Sequence, residues 1–371
     1  MTTLYVTPST PRTGSGRGLR TDGIARALAR QGDVHVRYVE FDGSRPDAAL
    51  EADPRVSLEP LRASRGLRRA MVYGRARAAG APPAFARGVS QELVAAGRDS
   101  RAFERIVADG PTAAAALILV AGADGVIYNA HNVESGFRTT LSTGQRDYGS
   151  PRQLRAFERN LLEGASETWL PTRRDVREAH AIAPFAACRY APNVVDVSAI
   201  DAVSPARSGR ILFVADFSYE PNLNAARYLV DDVMPAVWSS LPAAELALVG
   251  RDLEPDGISD SRIELLGFVP DLNAEYARSA CAVVPLLQGG GSPLKMIEAM
   301  AYGLPVVATP LAAAGLEEAL AGVHYLTGEG PAGLAAALVS ACRGECDQIG
   351  LAARALAEKE YSIEALARVI P

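Results

Sequence analysis

Apolar residues in the first half of the chain fall into short runs separated by stretches with helical spacing. Leu4 to Thr7 is a β-like run, Gly23 to Gln31 sets Ile24, Ala27 and Leu28 at helical intervals, and Val34 to Val39 alternates as a second strand. Ala114 to Val120 and Val126 to Asn129 read as buried strands or strand-adjacent segments. Leu154 to Glu163 and Thr172 to Ala181 read as helices. Strands alternating with helical patterns predict parallel βαβ units. Around Tyr190 to Gly209 the pattern lapses into Ala-Pro-Asn and Val-Ser-Pro-Ala-Arg-Ser-Gly, which is loop chemistry and predicts a hinge.

The alternation then restarts. Ile211 to Ala215, Glu245 to Val249, Ile263 to Leu266, Cys281 to Leu287 and Pro305 to Thr309 read as strands. Pro221 to Trp238 reads as one long amphipathic helix, and Asp271 as the N-cap of a helix reaching Ser279. Ser292 to Tyr302, Pro331 to Cys342 and Leu351 to Tyr361 are further helices. The expectation is an α/β chain of two doubly wound, Rossmann-like domains facing one another across a cleft, with ligands beyond the carboxyl ends of the strands. Residues 1–188 form the first domain, 189–209 the linker and 210–355 the second domain, while 356–371 form a closing helix that packs back toward the first.

Composition narrows the function. A length of 371 residues exceeds what one core usually serves. With 48% hydrophobic and 22% charged residues the chain is ordinary globular material, and a net charge of -5 gives no reason to expect a nucleic-acid partner. Cys188, Cys281, Cys342 and Cys346 are scattered without zinc-ligand spacing, which predicts no metal site and fits a reducing compartment; Cys281 reads as buried core. The N-terminus has no basic region followed by an apolar run, and no apolar stretch approaches the roughly 20 residues that a membrane helix needs. A cytoplasmic location is the expectation. The basic residues are almost all arginine, Lys295 and Lys359 being the only lysines.

The segment Pro285-Leu-Leu-Gln-Gly-Gly-Gly-Ser-Pro-Leu-Lys-Met-Ile-Glu-Ala-Met-Ala-Tyr-Gly-Leu-Pro-Val-Val-Ala-Thr309 is the most informative. An apolar strand runs into Gly289, Gly290 and Gly291, where backbone amides can approach a ligand without hindrance from Cβ atoms. Ser292 suits an N-cap and Pro293 the first helical position, so a helix start points at whatever the glycines hold, an arrangement suited to an anion. Gly303 suits the helix end. Lys295, Glu298 and Tyr302 share one face of an otherwise apolar helix. A diphosphate for Lys295 and a ribose diol for Glu298 would partner them; the plain alternative is a surface Lys295–Glu298 salt bridge.

This segment resembles the donor-site signature of glycosyltransferase family 4, retaining enzymes of the GT-B fold, in its Gly-Gly-Gly-x-x-x-Lys branch. Leu212-Phe-Val-Ala-Asp-Phe-Ser-Tyr-Glu-Pro-Asn222, Leu248-Val-Gly-Arg251 and Leu266-Gly-Phe-Val-Pro-Asp-Leu272 extend the resemblance. In the first domain it rests on the Gly14/Gly16 loop and on Asn129-Ala-His-Asn-Val-Glu134. The resemblance implies that Glu298 holds the nucleotide ribose and that the Gly289–Gly291 amides meet the sugar or its phosphate. Phe268 and Val269 would lie by the base, Lys295 and Arg251 would neutralise the leaving diphosphate, and His131 would face the transferred sugar. Two departures accompany it. Gly290 stands where the family usually has a glutamate, and Asp216-Phe-Ser-Tyr-Glu-Pro-Asn contains no base where the family often has Arg and Lys.

Other features are less specific. The Gly14-Ser-Gly-Arg-Gly18 loop precedes a helix and suits a phosphate or an acceptor, but lacks the spacing of a nicotinamide fingerprint. A lone histidine such as His131 is more often structural, though its strand-end position favours function; His35, His180 and His324 lack such context. Arg62, Arg65, Arg68, Arg69, Arg75, Arg77 and Arg87 occur without an acidic residue between Leu61 and Gln91. Such a run is usually a solvated face; the alternative is a patch for an anionic acceptor or an acidic lipid surface. The expected activity is retaining transfer of a sugar from a nucleoside-diphosphate sugar to an acceptor hydroxyl, without a cofactor or metal. The rivals are a non-catalytic sugar-nucleotide-binding protein, an epimerase or glycosyl phosphorylase of the same fold and, more distantly, a nicotinamide oxidoreductase.

Overall fold

The computed structural model describes residues 1–12, 16–40, 45–62, 65–138, 145–252, 260–289 and 294–371. The chain divides into two compact units. The first comprises Met1–Asn193 with Leu366–Pro371, and the second Val194–Ala365.

Among the described residues, unit 1 carries a seven-stranded sheet. Its strands are β1 (Thr2–Thr7), β2 (Asp33–Glu40), β3 (Val56–Arg62), β4 (Arg105–Asp109), β5 (Val126–Asn129), β6 (Glu167–Leu170) and β7 (Cys188–Tyr190). They lie in the order β3-β2-β1-β4-β5-β6-β7, every pair parallel. Parallel strands need crossovers, and the helices that supply them bury both sheet faces. Leu4, Val6, Ile106 and Ala108 pack with Leu93, Leu117, Phe157 and Leu161 in the core. The last six residues belong to this unit, where Gln31 Nε2 donates to the carbonyls of Ala367 and Ile370, each at 2.8 Å.

Unit 2 carries β8 (Arg210–Val214), β9 (Glu245–Val249), β10 (Ile263–Gly267), β11 (Cys281–Val284) and β12 (Val306–Ala308), again all parallel, in the order β10-β9-β8-β11-β12. Successive residues alternate between the faces, and each face has its own core. Leu212, Ala247, Val249, Ala282 and Val284 pack with Met296, Ile297 and Met300 of the helix Leu294–Tyr302. Ile211, Phe213, Leu246, Leu248, Cys281 and Val283 pack with Leu229, Met234 and Leu338 on the other. A strand apolar at every position is what burial on both faces requires.

Three local expectations are corrected. Ala114–Val120 is helical, ending in a π-helical turn over Ala115–Val120. A short apolar run buried on all sides carries no periodicity that separates strand from helix. Pro221–Trp238 is not one helix: a π-helical turn, Leu229–Val233, separates Glu220–Tyr228 from Met234–Ser240, and Pro235 just after it lacks an amide for a regular ladder. The helix after β10 runs from Asn273 to Ala277 with Leu272 at its cap, and the Asp271 carboxylate accepts from the Asn273 amide at 3.0 Å.

Both sheets reverse their winding direction at one place, between β1 and β4 in unit 1 and between β8 and β11 in unit 2. Loops leaving the carboxyl ends of such a pair diverge and open a crevice for ligand. In unit 2 this edge also needs close backbone approach. Gly250, directly after β9, has a φ of 152°, and a Cβ there would sit 1.6 Å from the Ala215 carbonyl oxygen. We predict that Gly250→Ala destabilises unit 2 by at least about 2 kcal/mol, because backbone rather than a flexible side chain must give way. Thermal and urea unfolding check this, with an unchanged midpoint as the contrary result.

Candidate active site

Two clusters of polar side chains occupy these carboxyl edges, one in each unit. In unit 1 the centre is Asp109, the last residue of β4, which is buried. Its Oδ2 accepts from Thr7 Oγ1 at 2.9 Å and Thr21 Oγ1 at 2.7 Å, and its Oδ1 from Asn129 Nδ2 at 2.8 Å. The fourth partner is His131, whose Nε2 lies 2.9 Å from Oδ1. Burial opposes the charge on Asp109, but the facing imidazole and the hydroxyls of Thr21 and Tyr5 more than offset it and hold the carboxyl at about 2. An ionised Asp109 accepts a hydrogen bond from Nε2–H of His131, which leaves Nδ1 facing away from the carboxylate. Gly110 makes room for this ring: its φ is 74°, and a Cβ there would meet His131 Cε1 at 3.1 Å.

Arg20, buried in the helix Gly16–Ala29, donates through Nη1 to the Ala191 carbonyl and to Asn193 Oδ1, each at 2.9 Å. Its Nε and Nη2, and Asn129 Oδ1, are buried without a hydrogen-bond partner. Unpartnered buried polar atoms are costly unless something else satisfies them. Gly16 opens this helix, and Gly14 lies outside the described residues.

In unit 2 the helix Leu294–Tyr302 follows β11. Gly289, with a φ of 109°, lies ahead of it, whereas Gly290, Gly291 and Ser292 lie outside the described residues. Lys295 Nζ donates to Asn222 Oδ1 and lies 5.7 Å from the centre of the Phe213 ring. Asn222 is itself buried and fixed, its Nδ2 donating to the Asp216 carbonyl at 2.7 Å. The loop after β8 and the helix after β11 are thus joined across the reversal point. Burial pulls the Lys295 ammonium down to about 8, against the opposing pull of Asp216.

One turn on, Glu298 Oε2 accepts from Tyr276 OH at 3.3 Å, and burial raises its carboxyl to about 7 against that bond. Tyr276 stacks on Tyr302 with ring centres 3.9 Å apart, and Tyr302 OH donates to Asn273 Oδ1 at 2.9 Å. Among the described residues Lys295 and Glu298 form no ion pair, so each carries its charge against burial rather than cancelling its neighbour's. At the same edge, Arg251 follows β9 with its guanidinium 5.0 Å over the ring of Phe268, which is 59% exposed just after β10. Val269 packs partly against the core.

The sequence singles out Lys295, Glu298 and His131 as candidates, while Asp109, Asn222 and Tyr276 come forward only in the structure. Asp109 was signalled by a short apolar run ending in Asp-Gly-Pro, a carboxylate at a strand end before a turn. Asn222 and Tyr276 acquire their roles only through long-range contact. Among the described residues no group of three His, Cys, Asp or Glu side chains is placed to hold a metal ion.

Residues 208–343 match the family model of the glycosyl transferases group 1. No curated protein matches the chain by sequence. Among solved structures, sucrose-phosphate synthase from Thermosynechococcus elongatus is 18% identical with a TM-score of 0.72, over 99% of this chain and 97% of that one. HepE of Anabaena, solved in complex with UDP-glucose, is 15% identical with a TM-score of 0.69 over the same shares. WaaG, a glycosyltransferase involved in lipopolysaccharide biosynthesis, is 15% identical with a TM-score of 0.63, over 99% of each chain. The fold is therefore GT-B. The match to the glycosyl transferases group 1 lies within the second unit.

The two buried charges in unit 2 predict a pH signature. Unfolded Glu298 ionises near its ordinary 4.5 and folded Glu298 near 7, so stability falls as pH rises between those values. Folded Lys295 loses its proton near 8 and the unfolded chain's near 10.5, so stability recovers as pH rises across that range. Their combined contribution is lowest between about pH 7 and 8, where both are charged. Glu298→Gln and Lys295→Met should each raise stability there by roughly 1–3 kcal/mol. Urea unfolding across pH checks this; variants less stable than the parent at pH 7.5 would show that the charges hold the fold together.

Proposed function

We propose that the protein transfers a sugar from a nucleoside-diphosphate sugar to an acceptor hydroxyl with retention of anomeric configuration. The observation that carries this reading is the withdrawal of Lys295 and Glu298 from water, one turn apart, at the reversal point of the unit 2 sheet without pairing with each other. A cation and a carboxylate held this way suit a ligand with a diphosphate and a diol. The capture of HepE with UDP-glucose supports the same donor class.

In this reading the bond from the anomeric carbon to the donor phosphate breaks, and its electron pair stays on the phosphate oxygen. The acceptor oxygen forms the new bond on the same face, and its proton passes to that phosphate oxygen. Lys295, Arg251 and the helix start after Gly289–Ser292 meet the negative charge as it develops. Glu298 accepts hydrogen bonds from the ribose hydroxyls, while Phe268 and Val269 flank the base. His131, with its Nε2 tied to Asp109, turns Nδ1 to a hydroxyl of the sugar, and the Gly14–Gly16 loop meets phosphate or acceptor. Charge neutralisation by Lys295 and Arg251 gives the reaction what a metal ion would otherwise supply.

Donor turnover by the purified protein is the test, read as transfer or slow hydrolysis across a panel of nucleoside-diphosphate sugars. Lys295→Ala should lower kcat by at least ~10²-fold, the loss expected for a group acting on transition-state charge. Glu298→Gln should weaken nucleoside-diphosphate binding in calorimetry by about tenfold, as for a lost hydrogen bond to a charged group. The product anomer, read by NMR, should match that of the donor. Unchanged kcat in Lys295→Ala would remove that residue from the reaction. Nucleotide binding without turnover of any donor would favour a binding protein, the reading that Gly290 in place of the family's glutamate suggests.

A further inference from the structure

The helix Gly66–Ala78 of unit 1 is patterned in reverse on its solvent side. Val72 and Ala76, four residues apart, are buried in the core. Leu67, Ala70, Met71, Gly74 and Ala78 follow at helical intervals on the opposite side and are all exposed, Leu67 by 77% and Met71 by 61%. The outward face of a surface helix is ordinarily its polar one. Here it is an apolar stripe about 17 Å long, at about 1.5 Å per residue.

Arginine borders the stripe. Arg68 and Arg75 flank it on one side and Arg77 on the other, Arg69 is exposed beyond Arg77 toward the buried side, and Arg62 and Arg65 precede the helix. Arg75 and Arg77 donate to the carbonyls of Val120 and Ala81. Arg87, further along the same acid-free run, is paired with Asp147. Arg62, Arg65, Arg68 and Arg69 are exposed and have no acidic partner among the described residues.

We propose that this helix docks the protein on an anionic phospholipid surface, with Leu67 and Met71 entering the interface and Arg65, Arg68 and Arg69 among the headgroup phosphates. The complement of an apolar stripe with cations on both sides is an apolar layer roofed by anions, which is the outer zone of such a bilayer. Long arginine side chains can reach the phosphates while the stripe lies deeper. A protein groove would call for large anchors, and this stripe offers two aliphatic side chains set among alanine and glycine. The attachment is peripheral, because no helix among the described residues is long and apolar enough to cross a membrane. The proposal is independent of the transferase reading.

Flotation of the full chain with vesicles tests it, using phosphatidylcholine alone and phosphatidylcholine mixed with phosphatidylglycerol. The parent should float with the anionic vesicles only and be released by salt. Leu67→Ser with Met71→Ser, and separately Arg68→Gln with Arg69→Gln, should each weaken binding by about tenfold. These positions are exposed, so thermal midpoints should hold. Phe185→Ser, at a fully exposed apolar residue elsewhere in unit 1, should bind as the parent does. Absence of binding, binding that survives loss of Leu67 and Met71, or equal loss in Phe185→Ser would each overturn the proposal. A soluble acidic protein captured in place of vesicles would overturn it as well.

Discussion

The hydrogen bond from Lys295 to Asn222 joins two segments that the sheet topology drives apart. Helices leaving β8 and β11 cross to opposite faces, so the loops between strand and helix separate at the carboxyl edge. Asn222 stands at the start of one helix, held by the Asp216 carbonyl, and Lys295 at the start of the other. A charged ammonium drawn out of water beside the ring of Phe213 is a poor way to stabilise a fold. Glu298 repeats the expense one turn later with only a tyrosine hydroxyl for company. Two uncompensated charges at a ligand-binding edge are better explained by a third party that carries the opposite charge and the matching hydroxyls.

Unit 1 solves a related problem in a different way. Its edge residues point at one another: Thr7 from β1, Asp109 from β4, Asn129 from β5 and His131 just beyond form a closed set of bonds around a single carboxylate. That set fixes which nitrogen of His131 faces Asp109, so the ring presents Nδ1 in an orientation held by its neighbours. Gly110 is required for the same reason, since any side chain there would press on the imidazole. Charge is held at the edge of unit 2, and an oriented polar group at the edge of unit 1.

Much of this was legible in residue order because the strands of parallel sheets are continuous apolar runs and the Gly-rich segment before Lys295 is long and specific. The shared face of Lys295, Glu298 and Tyr302 followed from helical spacing alone. Other features resisted for physical reasons. Ala114–Val120 is buried on every side, so strand and helix look alike there. The break over Leu229–Val233 depends on packing and on Pro235, within a pattern whose amphipathic period runs on undisturbed. Asp109 becomes a centre only through Thr7, Thr21 and His131, which lie 102, 88 and 22 residues away in sequence. The arginines around Gly66–Ala78 left a solvated face and a patch for an anionic acceptor or lipid surface both open, and the apolar face became recognisable only once its exposure was known.

The scarcity of lysine offers a direct view of the central group. A chain labelled with carbon-13 at lysine Cε gives two side-chain signals, one from Lys295 and one from Lys359, which is exposed on the helix Asp347–Glu360 and serves as the reference. In the free protein the Lys295 signal should titrate near pH 8. Saturation with the nucleoside diphosphate of the preferred donor should keep Lys295 protonated to higher pH and leave Lys359 unmoved. A Lys295 signal indifferent to every nucleoside diphosphate would contradict the account at its base.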